Sequence, residues 1–277
     1  MKVVLDIDST LQPLMGIGWY THLLAQHLCE LDDRPELRFM SRHSIRDFQP
    51  ERPDTVTTPA ASPRMPALRR LRRPRLNIPL LSNWSEHRRR KAQQHMLMPY
   101  RRWLFHGTNY AVPDFDGPAI ATFHDMTILT HPQFHPAVRV RRMMQNIEHA
   151  AARCRTLITV SEFSRGEISR HLGLSTDNVH VTRLAPRPGF RPRAAGETAP
   201  ALDRFGLRHG GYILYCGTVE PRKNIPVLLR AFAELPGTVR RRWPLVIAGG
   251  AGWNSGDVHH DIKQAERHGE VVYTGYM

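Results

Sequence analysis

The sequence lacks the features of a secreted or membrane-spanning protein. No stretch approaches the roughly 20 consecutive apolar residues that cross a bilayer. The N-terminus MKVVLDIDSTL carries two aspartates where a secretion signal needs an apolar core. Cysteine is scarce too: Cys29, Cys154 and Cys216 lie far apart and form no CxxC pair. We expect three buried, reduced thiols in a cytoplasmic protein, with peripheral contact at the inner membrane left open.

Acidic residues are few relative to basic ones. The 277 residues include 25 Asp and Glu against 39 Lys and Arg, which gives a net charge of +14 with histidine neutral. Such an excess predicts an anionic partner, namely nucleic acid, acidic lipid headgroups or a phosphorylated substrate, without choosing between them. Because the sequence contains no RRM, KH or zinc pattern, we expect no nucleic acid to bind.

Apolar strand-like runs alternate with helix-like stretches along the chain. KVVLDI precedes GWYTHLLAQHLCEL, and TLITV precedes SEFSRGEISRHLG, where Ser161 is expected to be the N-cap and Gly173 the C-cap. After a segment rich in proline, arginine and glycine, the alternation resumes at YILYCG. Repeated βα units predict parallel sheets covered by helices. We therefore expect an α/β protein with two facing Rossmann-like domains, residues 1–188 and 211–277, joined by a linker at 189–210.

The second predicted domain is expected to be incomplete. It has three strand-like runs by Met277, whereas a doubly wound domain usually has five or six. The last run, VVYTGYM, is a predicted strand with no helix after it. We expect the sequence to be a truncated piece of a longer protein.

The stretch YILYCGTVEPRKN places two adjacent cations, Arg222 and Lys223, between a predicted strand and a predicted helix. Cations at a helix start face the positive end of the helix dipole, so an anionic ligand would make this arrangement favourable. Gly217 lets the backbone turn close to a ligand, and the N–H groups of the helix start favour phosphate oxygens. Arg222 can donate two hydrogen bonds to a phosphate, while Lys223 supplies a compact charge. A solvated turn with two ordinary surface cations explains the pattern equally well.

Four motifs cover nearly the whole chain in order: GIGWYTHLLAQHL, TFHDMTILTHPQFHP, VSEFSRGEI and GTVEPRKNIPVLLRAF. Together they resemble the retaining nucleotide-sugar glycosyltransferases of family 4, which have the GT-B fold. The sequence is most similar to bacterial mannosyltransferases of O-antigen and polysaccharide assembly. The resemblance implies transfer of a hexose, mannose from GDP-mannose, to a lipid-linked surface glycan such as O-antigen, without a metal or another cofactor.

The resemblance implies a role for the two cations. Lys223 matches the family lysine that holds the donor's diphosphate. Many members have an arginine directly after the glycine, where this chain has Thr218, and in the PRKN subgroup Arg222 takes that role. Since the leaving diphosphate gains negative charge as the sugar–phosphate bond breaks, fixed cations stabilise the transition state more than the ground state. The leaving phosphate takes the acceptor's proton in this family, so no enzymatic base is expected.

The resemblance also implies roles for other positions. Gly16 and Gly18 match the glycine loop that approaches the donor phosphates. His124 matches the residue whose imidazole or backbone carbonyl faces the transferred sugar. The remaining positions are expected to line the donor site or the interdomain cleft; they are Asp125, Ser161, Arg165, Gly217, Thr218 and Asn224.

The resemblance leaves an alternative. Family members carry two glutamates beyond the third strand of the C-terminal domain, and this sequence ends before that position. An inactive glycosyltransferase fragment or a basic, non-enzymatic binding protein therefore stays open.

A third alternative is a haloacid-dehalogenase-type phosphatase. VVLDIDST fits the DxDxT opening of that class, with Asp6 as nucleophile and Asp8 as acid/base, and GDVHHD resembles its later acidic motif. That chemistry needs the Gly-Asp pair at the end of a buried strand, where its carboxylate holds Mg²⁺ beside the nucleophile. Here the pair follows the polar loop GGAGWNS. We expect Asp6 and Asp8 to be turn residues at the end of the first strand.

Arginine is concentrated in Arg64–Arg102, where Glu86 is the one acidic residue. We expect this segment to contact an anionic membrane or a lipid-diphosphate-linked glycan, with Trp84 dipping into the interface. A solvated basic face is the alternative. The histidine pair His131 and His135 is expected to bind no metal, because prolines at 132 and 136 oppose a single helical face.

Overall fold

A computed structural model of the protein describes residues 1–11, 14–42, 44–47, 91–187 and 189–277. Their contacts divide the chain into two units. The first unit comprises Met1–Thr130 and Arg141–Leu184, and the second comprises His131–Val140 and Ala185–Met277. The predicted boundary at residue 188 and the linker at 189–210 stay predictions.

The first unit contains a seven-stranded sheet of order β3-β2-β1-β4-β5-β6-β7. Neighbouring strands are parallel, except that β3 pairs antiparallel with β2. The strands are β1 (Lys2–Asp6), β2 (Glu36–Ser41), β3 (Ser44–Arg46), β4 (Leu104–Gly107), β5 (Ala119–Phe123), β6 (Thr156–Thr159) and β7 (Val179–Val181). The helices are α1 (Gly16–Glu30), α2 (Thr127–Thr130), α3 (Ala137–Arg153), whose first turn belongs to the second unit, and α4 (Glu162–Leu172).

The core of this unit follows from the composition of its strands. The middle of β1 is Val-Val-Leu, and all three side chains are buried, as expected for a parallel strand covered on both faces. Phe105, Phe123, Leu157 and Ile168 are fully buried on β4, β5, β6 and α4. These strands bring the residues that follow them to one edge of the sheet.

Both predicted caps of α4 are confirmed. The Ser161 side chain accepts a hydrogen bond from the backbone N–H of Ser164, which satisfies one of the free donors of the first turn. Gly173 has φ +65°, the left-handed conformation that glycine adopts at helix ends. The start of α4 is therefore fixed directly after β6.

The second unit contains a three-stranded parallel sheet of order β10-β9-β8. The strands are β8 (Ile213–Cys216), β9 (Leu245–Ala248) and β10 (Val271–Gly275). The helices are α5 (Ala195–Leu202), α6 (Ile225–Ala233), α7 (Gly237–Arg242) and α8 (Gly256–Glu266). Buried side chains of α6, β9, α8 and β10 form one apolar cluster. The predicted α/β class with parallel sheets is confirmed for each unit.

Residues 131–140 join the second unit through Trp253. Its indole N–H donates to the carbonyl oxygen of Phe134 at 2.8 Å, and the His135 ring lies 5.4 Å from the indole ring. The Arg139 guanidinium sits 4.7 Å from the same ring, within cation–π range. The Trp253 indole thus contacts Phe134 and His135, which precede α3, and Arg139 in its first turn.

The burial of the cysteines differs from the prediction. Cys154 is buried as predicted, but Cys216 is exposed and Cys29 is only partly buried, so the prediction of three buried thiols was wrong. Cys216 ends β8, an edge strand in the described sheet, where most side chains are accessible.

The greater part of the basic segment Arg64–Arg102, residues 64–90, lies outside the described residues. Within the described ranges, no helix is long and apolar enough to cross a membrane.

Candidate functional site

Hydrogen bonds tie together the carboxyl ends of four neighbouring strands in the first unit. Thr108, directly after β4, donates its hydroxyl to the carbonyl of Asp6 at the end of β1, at 2.8 Å. The Thr108 carbonyl accepts from His124 Nε2 at 2.9 Å, and the His124 carbonyl accepts from the Ser164 hydroxyl at 3.4 Å. Open parallel sheets bind their ligands at this edge. The ties give the edge a fixed shape.

His124 is half-buried directly after β5, with its ring against two tyrosines. Tyr20 of α1 lies 4.9 Å away and Tyr110 lies 5.9 Å away, both close to perpendicular to the imidazole. Burial lowers the pKa of His124, while the Thr108 carbonyl and the Asp125 charge oppose that shift. The imidazole is therefore neutral at pH 7 and acts as a hydrogen-bonding group.

Asp125 has a structural role in the described contacts. Its Oδ1 accepts from the backbone N–H and the hydroxyl of Thr127, at 3.0 and 2.7 Å, which caps the start of α2. Its backbone N–H and carbonyl both bond the Tyr110 hydroxyl. The prediction that Asp125 lines the donor site stays a prediction.

The two predicted loop glycines differ in their surroundings. A Cβ on Gly18 would lie 2.9 Å from the carbonyl oxygen of Ser9, so this glycine is required for packing against the turn after β1. A Cβ on Gly16 would meet nothing within 4 Å. Gly16 begins α1, and no side chain of the described residues caps the helix there, so these residues leave the first N–H groups of α1 available to an anion.

Ser161 and Arg165 are also occupied within α4. The Ser161 hydroxyl caps the helix, and Arg165 pairs with Glu162 at 2.8 Å, one turn earlier. Both partners of that pair are well exposed, so the pair stabilises little. The predicted contact of Ser161 and Arg165 with substrate stays a prediction.

In the second unit, the residues after Gly217 continue from the end of β8 beside the loop that follows β9, where Val219 forms a parallel bridge with Ala251. Val219 donates to the Gly250 carbonyl at 2.9 Å and accepts from Gly252 at 2.8 Å. The Thr218 carbonyl accepts from the Tyr215 hydroxyl at 3.3 Å. Hydrogen bonds from the loop after β9 and from Tyr215 therefore fix the backbone between β8 and the predicted cations.

Arg222 and Lys223 lie in a short 3-10 helix, Pro221–Lys223, and are placed differently. Arg222 Nη2 lies 2.6 Å from Oε1 of Glu220, whose side chain is only 2% exposed. The Nε atom of Arg222 is buried and has no hydrogen-bond partner in the described part of the chain. Lys223 is exposed and forms no ion pair with any residue that the structure describes. Asn224, in the left-handed conformation, then leads into α6.

This arrangement changes the electrostatic argument for the cations. A buried carboxylate on the same turn already accompanies Arg222, so Lys223 is the one of the two cations that has no counter-ion among the described residues. The sequence interpretation missed Glu220, and it also missed Tyr20 and Tyr110. The motif VEPRKN does contain a glutamate two residues before the arginine, and that spacing was the available signal.

The phosphatase alternative has no support in the geometry. Asp6 ends β1, and Asp8 follows in a short 3-10 helix, where its carboxylate accepts from the backbone N–H of Arg42 at 2.5 Å. Asp257 lies in the first turn of α8 and not at the end of a strand. Asp6 is thus the last residue of β1 and only Asp8 lies in the turn after it, so the expectation of two turn residues holds for Asp8 alone. Among the described residues, no three His, Cys, Asp or Glu side chains are grouped closely enough to hold a metal ion.

Comparison with characterised proteins decides the family. O-antigen chain mannosyltransferase B of Escherichia coli is 34% identical over 277 residues, which is 100% of this chain and 71% of that protein. The chain belongs to the family of O-antigen chain mannosyltransferases. Serotype-specific mannosyltransferase WbdA of Escherichia coli is 23% identical over 183 residues, 62% of this chain and 22% of that protein. No protein-family model matches the chain.

Solved glycosyltransferases have the same fold. HepE of Anabaena, solved in complex with UDP-glucose, matches with a TM-score of 0.62 and 12% identity, over 100% of this chain and 70% of that chain. WaaG, a glycosyltransferase involved in lipopolysaccharide biosynthesis, matches with a TM-score of 0.58 and 12% identity, over 99% and 70%. The predicted GT-B fold is confirmed. These two neighbours are too distant in sequence to carry more than the fold.

Proposed function

We propose that this mannosyltransferase homologue transfers mannose from GDP-mannose, with retention of the anomeric configuration, to an O-antigen glycan on a lipid carrier. The observation that carries the proposal is the 34% identity across the whole chain to O-antigen chain mannosyltransferase B. The positive charge of Lys223, which pairs with no described residue, supports it, because a nucleotide-sugar donor supplies the diphosphate that this charge would bind.

Lys223 and Arg222 have different tasks in the proposed reaction. Lys223, exposed and unpaired with described residues, contributes net charge to the leaving diphosphate. Arg222, held by the buried Glu220 carboxylate, contributes N–H donors in a fixed direction. Its buried Nε–H has no partner among the described residues, and a buried donor without one is costly, so a phosphate oxygen that reached it would stabilise the site.

The N-terminal motif residues act on the sugar side of the donor in this proposal. His124 faces the transferred sugar, and the free N–H groups at Gly16 approach the phosphates, as the resemblance implies. The neutral state of His124 favours hydrogen bonding to a sugar hydroxyl over pairing with a phosphate. We further propose that the reaction needs no metal, and transfer that persists in excess EDTA is the expected result.

The test measures donor binding and transfer separately. The purified chain is titrated calorimetrically with GDP-mannose, UDP-glucose and ADP-glucose, and transfer is followed on a synthetic mannose-terminated glycan linked to a lipid diphosphate. We expect GDP-mannose to bind most tightly and the product to keep the donor's anomeric configuration by NMR. Lys223→Ala should lower the transfer rate about a hundredfold or more, as expected for loss of one transition-state contact.

Lys263→Ala is the matched control, because Lys263 is an exposed lysine of the same unit on α8. This variant should transfer at the wild-type rate. Wild-type turnover in Lys223→Ala would remove the assignment of the diphosphate site, and preferential binding of a UDP sugar would overturn the proposed donor. Donor binding without any transfer would favour the inactive fragment.

A further inference from the structure

Two tyrosine rings hold the His124 imidazole in one orientation. The ring centroids of Tyr20 and His124 are 4.9 Å apart with planes at 85°, and those of Tyr110 and His124 are 5.9 Å apart at 68°. Edge-to-face contacts at these distances are favourable, and rotation of the imidazole would break both of them. The imidazole plane is therefore set by residues of α1 and of the turn after β4.

A backbone carbonyl fixes the tautomer of His124. Thr108 O lies 2.9 Å from Nε2, and a carbonyl oxygen can only accept a hydrogen bond, so Nε2 carries the proton. In the neutral ring Nδ1 is then an acceptor. No described residue bonds Nδ1, and it is not among the fully buried atoms that lack a partner. The free acceptor of the imidazole is thus accessible.

Tyr20 is held by a buried hydrogen-bond chain. Its hydroxyl lies 3.0 Å from Oγ1 of Thr122, and the same Oγ1 lies 2.8 Å from Nε2 of His106. Thr122 and His106 are buried on β5 and β4. The chain fastens the second turn of α1, four residues after Gly16, to the strand that ends beside His124.

Tyr110 is held by its backbone and by its hydroxyl. It has φ +59°, a left-handed conformation that is uncommon for a bulky residue and clusters at functional sites. Its hydroxyl donates to the carbonyl of Asp125 at 3.0 Å and accepts from the N–H of Asp125 at 2.8 Å. Both backbone groups of the residue after His124 are therefore bound to one phenol oxygen.

We propose that Tyr20 and Tyr110 are positioning residues that hold His124 in the Nε2-protonated form, with Nδ1 presented as an acceptor for a hydroxyl of the transferred sugar. The proposal rests on the proposed function for the identity of that ligand. The orientation and tautomer of the ring do not depend on it. The ring edges set the imidazole plane, and each tyrosine hydroxyl is in addition bonded to the segment that carries the imidazole.

The charges around His124 support a neutral ring. The titratable groups that face it are His106 on β4, Asp125 on its own segment, Tyr20 on α1 and Tyr110 on the turn after β4. Asp125 raises the pKa of His124, and burial, the larger effect, lowers it. Removing a tyrosine ring admits water, weakens the effect of burial and moves the His124 pKa upward.

The first test measures the tautomer in the free, full chain. Two-dimensional ¹H–¹⁵N spectra that correlate ring nitrogens with ring protons distinguish a protonated Nε2 from a protonated Nδ1. We expect wild-type His124 to show the Nε2–H form at pH 7. Tyr20→Leu should show a mixture of tautomers and a raised pKa, whereas Tyr20→Phe, which keeps the ring edge, should stay close to wild type.

The second test measures kinetics as a function of pH. Tyr20→Leu and Tyr110→Leu should lower kcat/KM for the donor about 10- to 100-fold at pH 7, as expected for a misplaced contact group. The acidic limb of the pH profile should move to higher pH in both variants. Tyr20→Phe should recover most of the loss. Tyr100→Leu is the control, because Tyr100 makes a similar edge contact with Trp103 elsewhere in the first unit.

The outcomes separate this proposal from the proposed function. A wild-type tautomer and pH profile in Tyr20→Leu, or an Nδ1-protonated ring in the wild type, would overturn the positioning role. If the spectra behave as expected but the chain prefers a different donor, the positioning role stands and the proposed donor fails. Equal effects of Tyr100→Leu and Tyr20→Leu on the pH profile would show that loss of any ring edge suffices, and the proposal would be wrong.

Discussion

The Arg222–Glu220 pair gives the sharpest stability prediction. Arg222→Met keeps the length of the side chain but leaves the Glu220 carboxylate, 2% exposed, without its counter-ion 2.6 Å away. Opposite charges about 4 Å apart attract by about 4 kcal/mol at an effective dielectric constant of 20. Removing one partner of a buried pair costs about 3 to 5 kcal/mol. Since the Arg222 side chain is 28% exposed, we expect the lower end, about 3 kcal/mol.

Calorimetry of the full chain measures this cost. For a unit of roughly a hundred residues, each kcal/mol shifts Tm by about 4 to 8 °C, so a loss of about 3 kcal/mol should lower the transition of the second unit by about 12 to 24 °C. Lys223→Met, at an exposed cation next in the chain, should change stability by less than about 0.5 kcal/mol. The double variant Glu220→Gln/Arg222→Met should recover about half of the loss, because an amide replaces the unpaired charge.

Two results would refute this reasoning. If Arg222→Met unfolds at the wild-type temperature, Arg222 does not neutralise a buried carboxylate. If the double variant is no more stable than Arg222→Met, the loss comes from packing of the arginine and not from the charge of Glu220. In either case the separate tasks proposed for Arg222 and Lys223 would lose their basis.

Two further predictions concern single positions. In Gly249→Ala the new Cβ would lie 1.8 Å from the carbonyl oxygen of Gly217, so denaturant unfolding should show that the free energy of unfolding falls by more than about 3 kcal/mol. Gly256→Ala is the control, because no described atom lies within 4 Å of its new Cβ, and it should be neutral or stabilising. Equal effects of the two substitutions would contradict the contact at Gly249. Burial lowers the pKa of His106 from 6.5 to about 4, so only the unfolded state takes up this proton as pH falls between those values. Wild-type stability should drop by about 3 kcal/mol over that interval, and His106→Gln should lack this part of the slope.

Most of the fold could be predicted from local patterns. The runs KVVLD, TLIT and VVYTG are strands because β-branched and apolar residues fill them, and Ser161 and Gly173 bound α4 through cap chemistry that depends on adjacent residues. Strands β2 and β3 were missed. ELRFMS alternates charged with apolar residues, and three-residue β3 is fixed only by its antiparallel pairing with β2. No local signal sets that pairing.

The contacts of the candidate site could not be predicted as the fold was, because they join distant parts of the sequence. The motifs located His124, Arg222 and Lys223, but they could not show that Tyr20 reaches Thr122, 102 residues away. The exposure of Cys216 was missed for the same reason. An apolar strand looks alike in the centre and at the edge of a sheet, and its neighbours decide which side chains water reaches.

The pairing of Arg222 with Glu220 supports the different tasks that we propose for the two adjacent cations in transfer. Stabilisation of a leaving group is greatest when the donors are already aimed at it and need no reorganisation as charge develops. A free arginine has many side-chain conformations and loses entropy when it binds, whereas Arg222 has one Nη held by a buried carboxylate and keeps its other N–H groups available. The same carboxylate cancels the net charge of Arg222. In the proposed reaction a second cation is therefore needed to bind the diphosphate, and Lys223, which pairs with no described residue, occupies the adjacent position.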